Sequence, residues 1–336
     1  MFEVARTRNN IDCFRQALSR MSDYIAKTPL VKIPAFDKDT GHDVVFKLEN
    51  LQITGSFKSR GVINYIQNYL DSNEIIPNKF VTYGTGNHGA ALAWAGQNLK
   101  FVSHIFLSRL AEKYKMNLIT EYGGLLTICE GRKEAEQFAF EEAARGNNIL
   151  VPTADNLDII IGAGTILYET MQQDSREFDA VFLPIGGGSL ASGSLMVKNS
   201  LNLNTKIFAG EPEAANDVAI SLKSGKLFRF EQEPNTIADA AKSLGVSENI
   251  YTRIKSLDGV YEISEKEIAY WTNYFSQNSS YSCEPTSALA IASAYRWLRT
   301  QESQKKVVII ISGDNVRSRL TGLNKLDPKS FYEALI

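Results

Sequence analysis

The sequence predicts an α/β protein with two lobes, each built on a mostly parallel, twisted sheet that is flanked by helices. Short β-branched runs alternate with longer helical patterns almost from end to end, which is typical of right-handed βαβ units. A length of 336 residues is enough for about two domains. The turn-prone Gly146-Asn147-Asn148, followed by LVPTADN, indicates a crossing point between the lobes. In such folds, ligands bind at the carboxyl ends of the strands.

The individual elements follow from local patterns. The predicted strands are DVVFKLE, KFVTYG, FVSHIFL, LLTIC, DAVFLPI, TKIFAGE and KVVIIIS. The predicted helices between them include SRGVINYIQNYL, KEAEQFAFEEAARG and PTSALAIASAYRWLRT. The sequence contains no internal repeat and no low-complexity segment. Because ligands bind at the carboxyl ends of the strands in such folds, residues that carry chemistry are expected directly after the strands.

Composition and charge exclude several classes of protein. A net charge of −2 gives no electrostatic reason to expect a nucleic-acid partner. We find neither the apolar core of a signal peptide nor an apolar run long enough to cross a membrane, so no membrane association is expected. Three widely spaced cysteines argue against disulfides and favour a reducing cytoplasm. Three scattered histidines make a His/Cys metal cluster improbable.

One glycine-rich loop raises the question of function. Gly84-x-Gly86-x-x-Gly89 follows an apolar run and opens an Ala-rich helix, which is the spacing of a dinucleotide-binding fingerprint. Such a unit ends its second strand with an acidic residue, whereas here the strand FVSHIFL runs into Ser108-Arg109. Arg109 could contact the 2′-phosphate of NADP in place of the acidic residue. The flanking sequence must therefore decide whether the loop binds a dinucleotide or another ligand.

Two other segments after strands favour a different ligand. Three consecutive glycines, Gly186 to Gly188, precede Ser189 after a buried strand, and their N–H groups can converge on a phosphate at a helix start. Lys58 lies between Phe57 and the small residues of TGS, and apolar surroundings lower the pKa of a lysine as Schiff-base chemistry requires. Taken alone, a lysine at a helix start is usually a solvated surface charge.

Four segments together, KLENLQITGSFKSRG, GTGNHG, LPIGGGSLASG and VVIIISGDN, resemble the tryptophan synthase β superfamily of fold type II pyridoxal-phosphate enzymes. The resemblance is to its threonine/serine dehydratase and serine racemase branch, and it extends from Thr28 to the SGDN segment. It implies pyridoxal 5′-phosphate as the cofactor. It also implies a large cofactor-binding domain of residues 1–45 and 151–336, and a small domain of residues 46–150 that carries the asparagine loop.

The resemblance assigns roles to particular residues. It implies that Lys58 forms a Schiff base with the cofactor and later moves the Cα proton of the substrate. It implies that Asn87 bonds the ring oxygen of the cofactor and that Ser312 bonds the pyridine nitrogen. The remaining expected cofactor contacts are Phe57, Gly186, Gly187, Gly188, Ser189 and Glu284, and the expected substrate-carboxylate contacts are Thr85, Gly86, Asn87 and His88.

Thr85 marks a departure from the relatives. Dehydratases usually carry Ser and Ala at the positions of Gly84 and Thr85, whereas serine racemases carry a second Ser at the position of Thr85 and use its hydroxyl as the acid/base opposite the lysine. Thr85 retains a hydroxyl, so it is a candidate catalytic residue and racemisation stays open.

An acidic loop is a candidate cation site. Glu211, the Ala215 carbonyl and Asp217 supply oxygen atoms that suit Mg²⁺ or Ca²⁺, although acidic residues after a strand are mostly solvated. In serine racemase and its dehydratase relatives, the matching positions bind a divalent cation. We therefore expect a metal site here.

The resemblance favours an ammonia-lyase that converts a β-hydroxy amino acid, such as L-serine or L-threonine, to a 2-oxo acid and ammonia. A serine or aspartate racemase is the nearest alternative, followed by a lyase for 3-hydroxyaspartate, diaminopropionate or a hydroxyectoine-derived substrate. An NADP dehydrogenase and a cofactor carrier without turnover belong to other classes. The family is commonly dimeric, so a homodimer is expected, and feedback control through a C-terminal regulatory domain is not expected because the chain ends soon after SGDN.

Overall fold

The structure is a computed structural model, and it describes residues 11–73, 75–316 and 327–335. Within these residues the strands are β1 Leu30–Val31, β2 Asp43–Leu48, β3 Lys79–Gly84, β4 Ser103–Ser108, β5 Leu125–Cys129, β6 Asn148–Leu150, β7 Ala180–Pro184, β8 Lys206–Pro212, β9 Gly259–Ile263 and β10 Lys306–Ile311. They form a six-stranded sheet in the order β1-β2-β10-β7-β8-β9 and a four-stranded sheet in the order β5-β4-β3-β6.

All strand pairs in the two sheets are parallel except the β1–β2 pair, which is antiparallel. The seven strands predicted from the sequence are all present. The three that were not predicted, β1, β6 and β9, have only two to five residues, and most of their side chains are half-buried. The expected α/β class with helix-flanked parallel sheets is confirmed.

The helices are α1 Asp12–Met21, α2 Pro34–Thr40, α3 Lys58–Ser72, α4 Asn87–Leu99, α5 Lys113–Glu121, α6 Arg132–Ala143, α7 Leu157–Gln173, α8 Ser189–Leu201, α9 Asp217–Ser224, α10 Glu248–Ile254, α11 Glu265–Asn278, α12 Pro285–Leu298 and α13 Pro328–Glu333. Side-chain caps define several starts: the Asn156 side chain accepts the first N–H groups of α7, and Ser264 forms a capping box with Glu267 at α11. No helix in the described ranges has the length and apolar character to cross a membrane.

Strand β10 shows how the six-stranded sheet divides the core. Val307, Ile309 and Ile311 pack into one apolar cluster, with α11 and α12, whereas Val308 and Ile310 pack into another, with α7 and α8. Because successive strand side chains point to opposite faces, a continuous apolar run is what a doubly covered sheet requires. Each fully buried side chain of this kind contributes roughly 1.5–3 kcal/mol.

The helix that carries Lys58 is held close to its neighbours by glycines. A Cβ added at Gly162 of α7 would lie 2.5 Å from the Arg60 carbonyl oxygen of α3. A Cβ at Gly193 of α8 would lie 2.4 Å from the Ile160 carbonyl oxygen of α7. The backbones of the three helices therefore approach more closely than any side chain allows, and this fixes the position of α3 in the protein.

Strand β2 bears on the proposed division into domains. It spans residues 43–48 and pairs with β10 along its whole length. Residues 79–150 contain all four strands of the smaller sheet. The division into residues 46–150 and the remainder stays a proposal. Residues 46–48, the last three of β2, lie within that small domain but pair with the six-stranded sheet.

Candidate active site

Lys58 is the first residue of α3, and its side chain is half-buried. Its Nζ donates to the Thr153 carbonyl oxygen at 3.2 Å and lies 5.0 Å from the centre of the Phe57 ring. Burial lowers the pKa of Lys58 to about 8, the positive charge of Arg132 lowers it further, and the Glu284 carboxylate opposes this. The neutral amine, which can act as a nucleophile or base, is therefore a minority species at pH 7, but a far larger one than for a solvated lysine.

The Gly186–Gly188 loop connects β7 to α8, which begins at Ser189. Gly188 has φ of +85°, and a Cβ there would lie 2.3 Å from Cγ2 of Ile250. A Cβ at Gly186 would lie 2.9 Å from the Ala240 carbonyl oxygen. This backbone can follow its path only without side chains, and it ends at the positive pole of a helix, which suits a phosphate group.

The asparagine loop, residues 84–88, connects β3 to α4, and Thr85 lies half-buried at its bend. Gly86 has φ of +120°, and a Cβ at this position would lie 2.5 Å from Cβ of Lys115. Asn87 Nδ2 donates to both carboxylate oxygens of Glu284, at 2.9 and 3.1 Å. Its Oδ1 accepts from Asn315 Nδ2 at 2.9 Å. The Asn87 amide is therefore fixed in orientation from both ends.

His88 lies beside this amide and is buried. Burial lowers the pKa of His88 to about 3, the nearby Lys58 charge lowers it further, and the Val151 carbonyl opposes this. The imidazole is neutral at physiological pH. It can donate or accept a hydrogen bond there, but it adds no positive charge beside Lys58.

Ser312 follows β10 and is buried. Its Oγ lies 3.1 Å from Oγ of Ser287, which in turn donates to the Gly313 carbonyl and accepts from the Gly313 N–H, both at 3.0 Å. The Ser312 carbonyl oxygen accepts from the Phe57 N–H at 3.0 Å. Ser312 is thus bonded to the residue that precedes Lys58.

Glu284 belongs to a buried charge group that was not predicted from the sequence. Lys115 Nζ lies 3.2 Å from Oε2 of Glu284 and donates to both carboxylate oxygens of Asp239, at 2.7 and 2.9 Å. Burial by itself would lower the pKa of Lys115, but the charges of Glu284 and Asp239 outweigh it and raise that pKa. Lys115 therefore remains charged, and it links α5 to the residues that hold Asn87.

A second buried charge group was also missed, and it lies two residues beyond Lys58. Arg60 donates through Nε and Nη2 to the two oxygens of Glu49, both at 2.8 Å, and through Nη2 to Glu169 at 3.1 Å. Glu169 also pairs with Lys47. These bonds tie the first turn of α3 to the end of β2 and to α7, which fixes the backbone at Lys58.

The candidate cation site has two buried carboxylates. Glu211 accepts from the N–H groups of Val218 and Ala219, and Asp217 accepts from Val246 N–H at 3.1 Å. Burial raises the pKa of Glu211 to about 9, with a further contribution from the Asp217 charge, and burial raises the pKa of Asp217 to about 7.

Ala215, whose carbonyl is the third expected ligand, is buried in the turn Glu213–Ala215 between these two residues in sequence. In the described part of the chain no three His, Cys, Asp or Glu side chains group as a metal cluster. Burial disfavours the charged form of both carboxylates, and a bound cation would stabilise that charged form.

A cavity of about 380 Å³ lies next to the residue that binds the Lys58 amine. Its wall includes Thr153, whose carbonyl binds the Lys58 amine, and Gly187 of the glycine loop. Tyr83, Arg132 and Ser243 also line it. Its volume is in the range of cavities that hold small molecules.

Arg109, the residue that could bind the 2′-phosphate of NADP, is engaged elsewhere in the structure. Arg109 forms an ion pair with Glu130, Nε to Oε2 at 2.9 Å, and both side chains are largely exposed. Gly86 packs against Lys115 and Gly89 packs against Ile105, whereas Gly84 faces open space. Together with the geometry of Lys58 and the glycine loop, this favours the phosphate-cofactor interpretation.

Comparisons with known proteins agree with that geometry. The family model described as pyridoxal-phosphate dependent enzyme matches residues 21–313. The chain is 36% identical to a serine racemase of Dictyostelium discoideum, over 90% of this chain and 93% of that protein. It is 32% identical to an L-threo-3-hydroxyaspartate ammonia-lyase of Saccharomyces cerevisiae, over 89% and 91% respectively. The crystal structure of a threonine deaminase of T.th. superposes with a TM-score of 0.84 at 27% identity, covering 92% of this chain and 99% of that one.

Proposed function

Because the chain belongs to the pyridoxal-phosphate-dependent enzyme family, we propose that it is an ammonia-lyase that acts on a β-hydroxy amino acid such as L-serine or L-threonine. Elimination of the β-hydroxyl as water leaves an enamine, which hydrolyses to a 2-oxo acid and ammonia. The observation that carries the proposal is Lys58, a half-buried amine with a pKa lowered to about 8. Its charge acts on His88 of the asparagine loop, and Thr153, which accepts its hydrogen bond, lines the same cavity as Gly187 of the glycine loop.

The residues fit the cofactor of this family. The Gly186–Gly188 backbone, which a Cβ would obstruct, and the start of α8 at Ser189 would hold its phosphate. Ser312 and Asn87 would bond its ring, with Phe57 and Glu284 beside them, and Lys58 would carry it covalently. When bound, the cofactor supplies an electron sink that stabilises negative charge at the substrate Cα.

The chain's own residues would supply binding and proton transfer. The N–H groups of residues 85–88 would bind the substrate carboxylate, since they lie at the start of α4, where a helix favours negative charge. The neutral His88 would line this site without pairing as an ion. Lys58 would take the proton from Cα, because its lowered pKa leaves the amine able to accept one.

We further propose that Glu211, the Ala215 carbonyl and Asp217 hold a divalent cation, Mg²⁺ or Ca²⁺. Their support is the burial of both carboxylates and the raised pKa values that burial causes. A homodimer, a cytoplasmic location and the division into a small domain of residues 46–150 belong to the same proposal and come from the likeness to the family.

The test begins with purified protein. A visible absorbance band of lysine-bound cofactor that disappears in Lys58→Ala, but persists in the exposed-lysine control Lys133→Ala, is expected. L-serine, L-threonine and L-threo-3-hydroxyaspartate are then added in turn, and 2-oxo acid and ammonia are measured. A band that survives in Lys58→Ala, or no turnover of any of these amino acids, would contradict the proposal.

A racemase is the second candidate, and the specific observation in its favour is the Thr85 hydroxyl in the bend that follows β3. A racemase needs a second acid/base on the face opposite the lysine. Chiral chromatography of the products decides between the two functions. Loss of D-amino acid in Thr85→Ala, with 2-oxo acid retained, would support racemisation by Thr85, whereas wild-type protein that forms no D-amino acid would exclude it.

A further inference from the structure

Asn315 is a buried asparagine to which the proposed reaction assigns no role. It follows Ser312 in the SGDN segment, and its side chain is 3% exposed. Its Nδ2 donates to the Thr54 carbonyl oxygen at 2.8 Å and to Oδ1 of Asn87 at 2.9 Å. Thr54 belongs to the turn that precedes Lys58, whereas Asn87 belongs to the asparagine loop. One amide group therefore bonds two segments of the candidate site.

Gly55 leaves the room that this side chain occupies. A Cβ added at Gly55 would lie 2.2 Å from Oδ1 of Asn315, and the φ of +69° at Gly55 also favours glycine. The Asp314 N–H donates to the Gly55 carbonyl oxygen at 2.9 Å, which holds the two backbones together. The position of the Asn315 amide is therefore set by close packing as well as by hydrogen bonds.

The polar contacts on the two sides of Asn87 allow only one orientation of its amide. At one end the Thr54 carbonyl can only accept, so the Asn315 atom that faces it is the nitrogen. At the other end the Lys115 ammonium, 3.2 Å from Oε2 of Glu284, can only donate. Between these ends Glu284 accepts from Nδ2 of Asn87, and Oδ1 of Asn87 accepts from Asn315. A reversed Asn87 amide would place its oxygen against a carboxylate and its nitrogen against another N–H group.

One N–H group of Asn87 remains open. Both carboxylate oxygens of Glu284 lie within 3.1 Å of Nδ2. Seen from this nitrogen, the two N–H bonds of an amide diverge more widely than the two oxygens of one carboxylate, so a single N–H serves both oxygens. The second N–H has no acceptor among the residues that the structure describes, although the side chain is only 4% exposed. Because a buried donor is costly to leave unpaired, we expect this N–H to meet an acceptor on a bound molecule.

We propose that Asn315 is a positioning residue for the cofactor: together with Glu284, it turns the open N–H of Asn87 toward the ring oxygen, so that this oxygen is held as an anion. The proposal rests on the proposed function, since the ring oxygen belongs to the cofactor assigned there. A hydrogen bond donated to the charged form of an acid stabilises that form, so the ring oxygen should lose its proton at a lower pH than it would without Asn315. An Asn87 amide in the opposite orientation would offer an acceptor and favour the protonated oxygen.

The absorption spectrum of the holoenzyme tests the proposal without turnover, because the ionised and protonated ring oxygens of the lysine-bound cofactor absorb at different wavelengths. Asn315→Leu removes both N–H donors of the side chain and introduces no charge. The midpoint of the spectral pH titration is expected to rise by about 1 pH unit in this variant, which corresponds to the loss of one hydrogen bond of ordinary strength.

Asn64→Leu is the matched control. Asn64 is also buried and bonded on both sides, since its Nδ2 donates to the Asp158 carbonyl at 2.7 Å and its Oδ1 accepts from Arg20 at 2.6 Å. Both substitutions are expected to lower the free energy of unfolding, because each removes a buried amide from its partners. Only Asn315→Leu should move the spectral titration, and this separates positioning from a structural role.

An unchanged titration in Asn315→Leu, or an equal shift in Asn64→Leu, overturns the role of Asn315. If Asn315→Leu does not fold, the wild type decides. Persistence of the ionised form into acid pH supports an N–H donor at the ring oxygen, whereas predominance of the protonated form at neutral pH overturns it. Absence of any cofactor absorbance in the wild type would instead contradict the proposed function itself.

Discussion

Replacing Lys115 with methionine tests whether its buried ion pairs stabilise the protein. The Lys115 side chain is fully buried, and its ammonium lies 2.7 Å from Asp239 and 3.2 Å from Glu284. At an effective dielectric constant near 20, unit charges at these separations attract by roughly 6 and 5 kcal/mol. Desolvation offsets much of this, but removing one partner leaves two buried carboxylates without their cation. The expected loss is therefore about 3–5 kcal/mol of the free energy of unfolding.

The assay is urea unfolding of the holoprotein, followed by tryptophan fluorescence. Lys113→Met is the matched control, because it removes an exposed lysine from the first turn of the same helix and is expected to change stability by no more than about 0.5 kcal/mol. If Lys115→Met unfolds within about 1 kcal/mol of the wild type, as the control does, the ion pairs contribute little, and the reasoning from burial and distance is wrong.

Three further outcomes are expected. Gly188→Ala forces a Cβ to within 2.3 Å of Ile250 at φ of +85°, so cofactor titration of the apoprotein should show clearly weaker binding. Unchanged affinity would contradict the assignment of the Gly186–Gly188 loop to the cofactor phosphate. The rate at which apoprotein captures the cofactor should rise as pH passes about 8 and then level off, because the Lys58 amine is neutral above its pKa; a midpoint near that of a solvated lysine would be evidence against burial as the cause. Mg²⁺ should raise the unfolding temperature of the wild type relative to EDTA but leave Glu211→Gln unaffected, and an equal response of both proteins would argue against the cation site.

Much of the fold could be predicted because its strands are long, apolar and β-branched. Strand β10 reads KVVIII, and such a run indicates a strand buried on both faces without any knowledge of its neighbours. Strand β1 has two residues and β6 has three, and neither length carries a recognisable period. These short strands exist because neighbouring strands offer free hydrogen-bonding groups, which is tertiary information.

The site divides in a similar way. Lys58, Asn87 and Ser312 could be proposed because their segments resemble those of a known family and because each follows a strand or a tight turn, where ligands bind in α/β folds. Their partners could not, since Lys115 meets Asp239 across 124 residues and Asn87 meets Asn315 across 228. No local pattern encodes such a pairing.

The burial of Lys115, unlike its partners, is indicated by a local sequence pattern. Leu118 and Ile119, three and four residues later, are buried on the same face of α5. A lysine whose ammonium is buried must be either paired or shifted in pKa, so this spacing indicates a candidate for a buried charge. Arg132 gave no such signal, because it stands at a helix start, where a charged residue is unremarkable.

The glycine spacing that resembles a dinucleotide fingerprint has a different physical origin in this protein. In a nucleotide site, the second glycine leaves room for a pyrophosphate. Here the space beside Gly86 is filled by the Lys115 side chain, since an added Cβ would lie 2.5 Å from it. Gly89 keeps its usual packing role, because its Cβ would lie 2.6 Å from Ile105 of the adjoining strand. The same lysine that fills the pyrophosphate position also holds Glu284, and Glu284 orients Asn87. In this protein the side chain that faces the second glycine is therefore evidence against a pyrophosphate site, which the glycine spacing alone cannot provide.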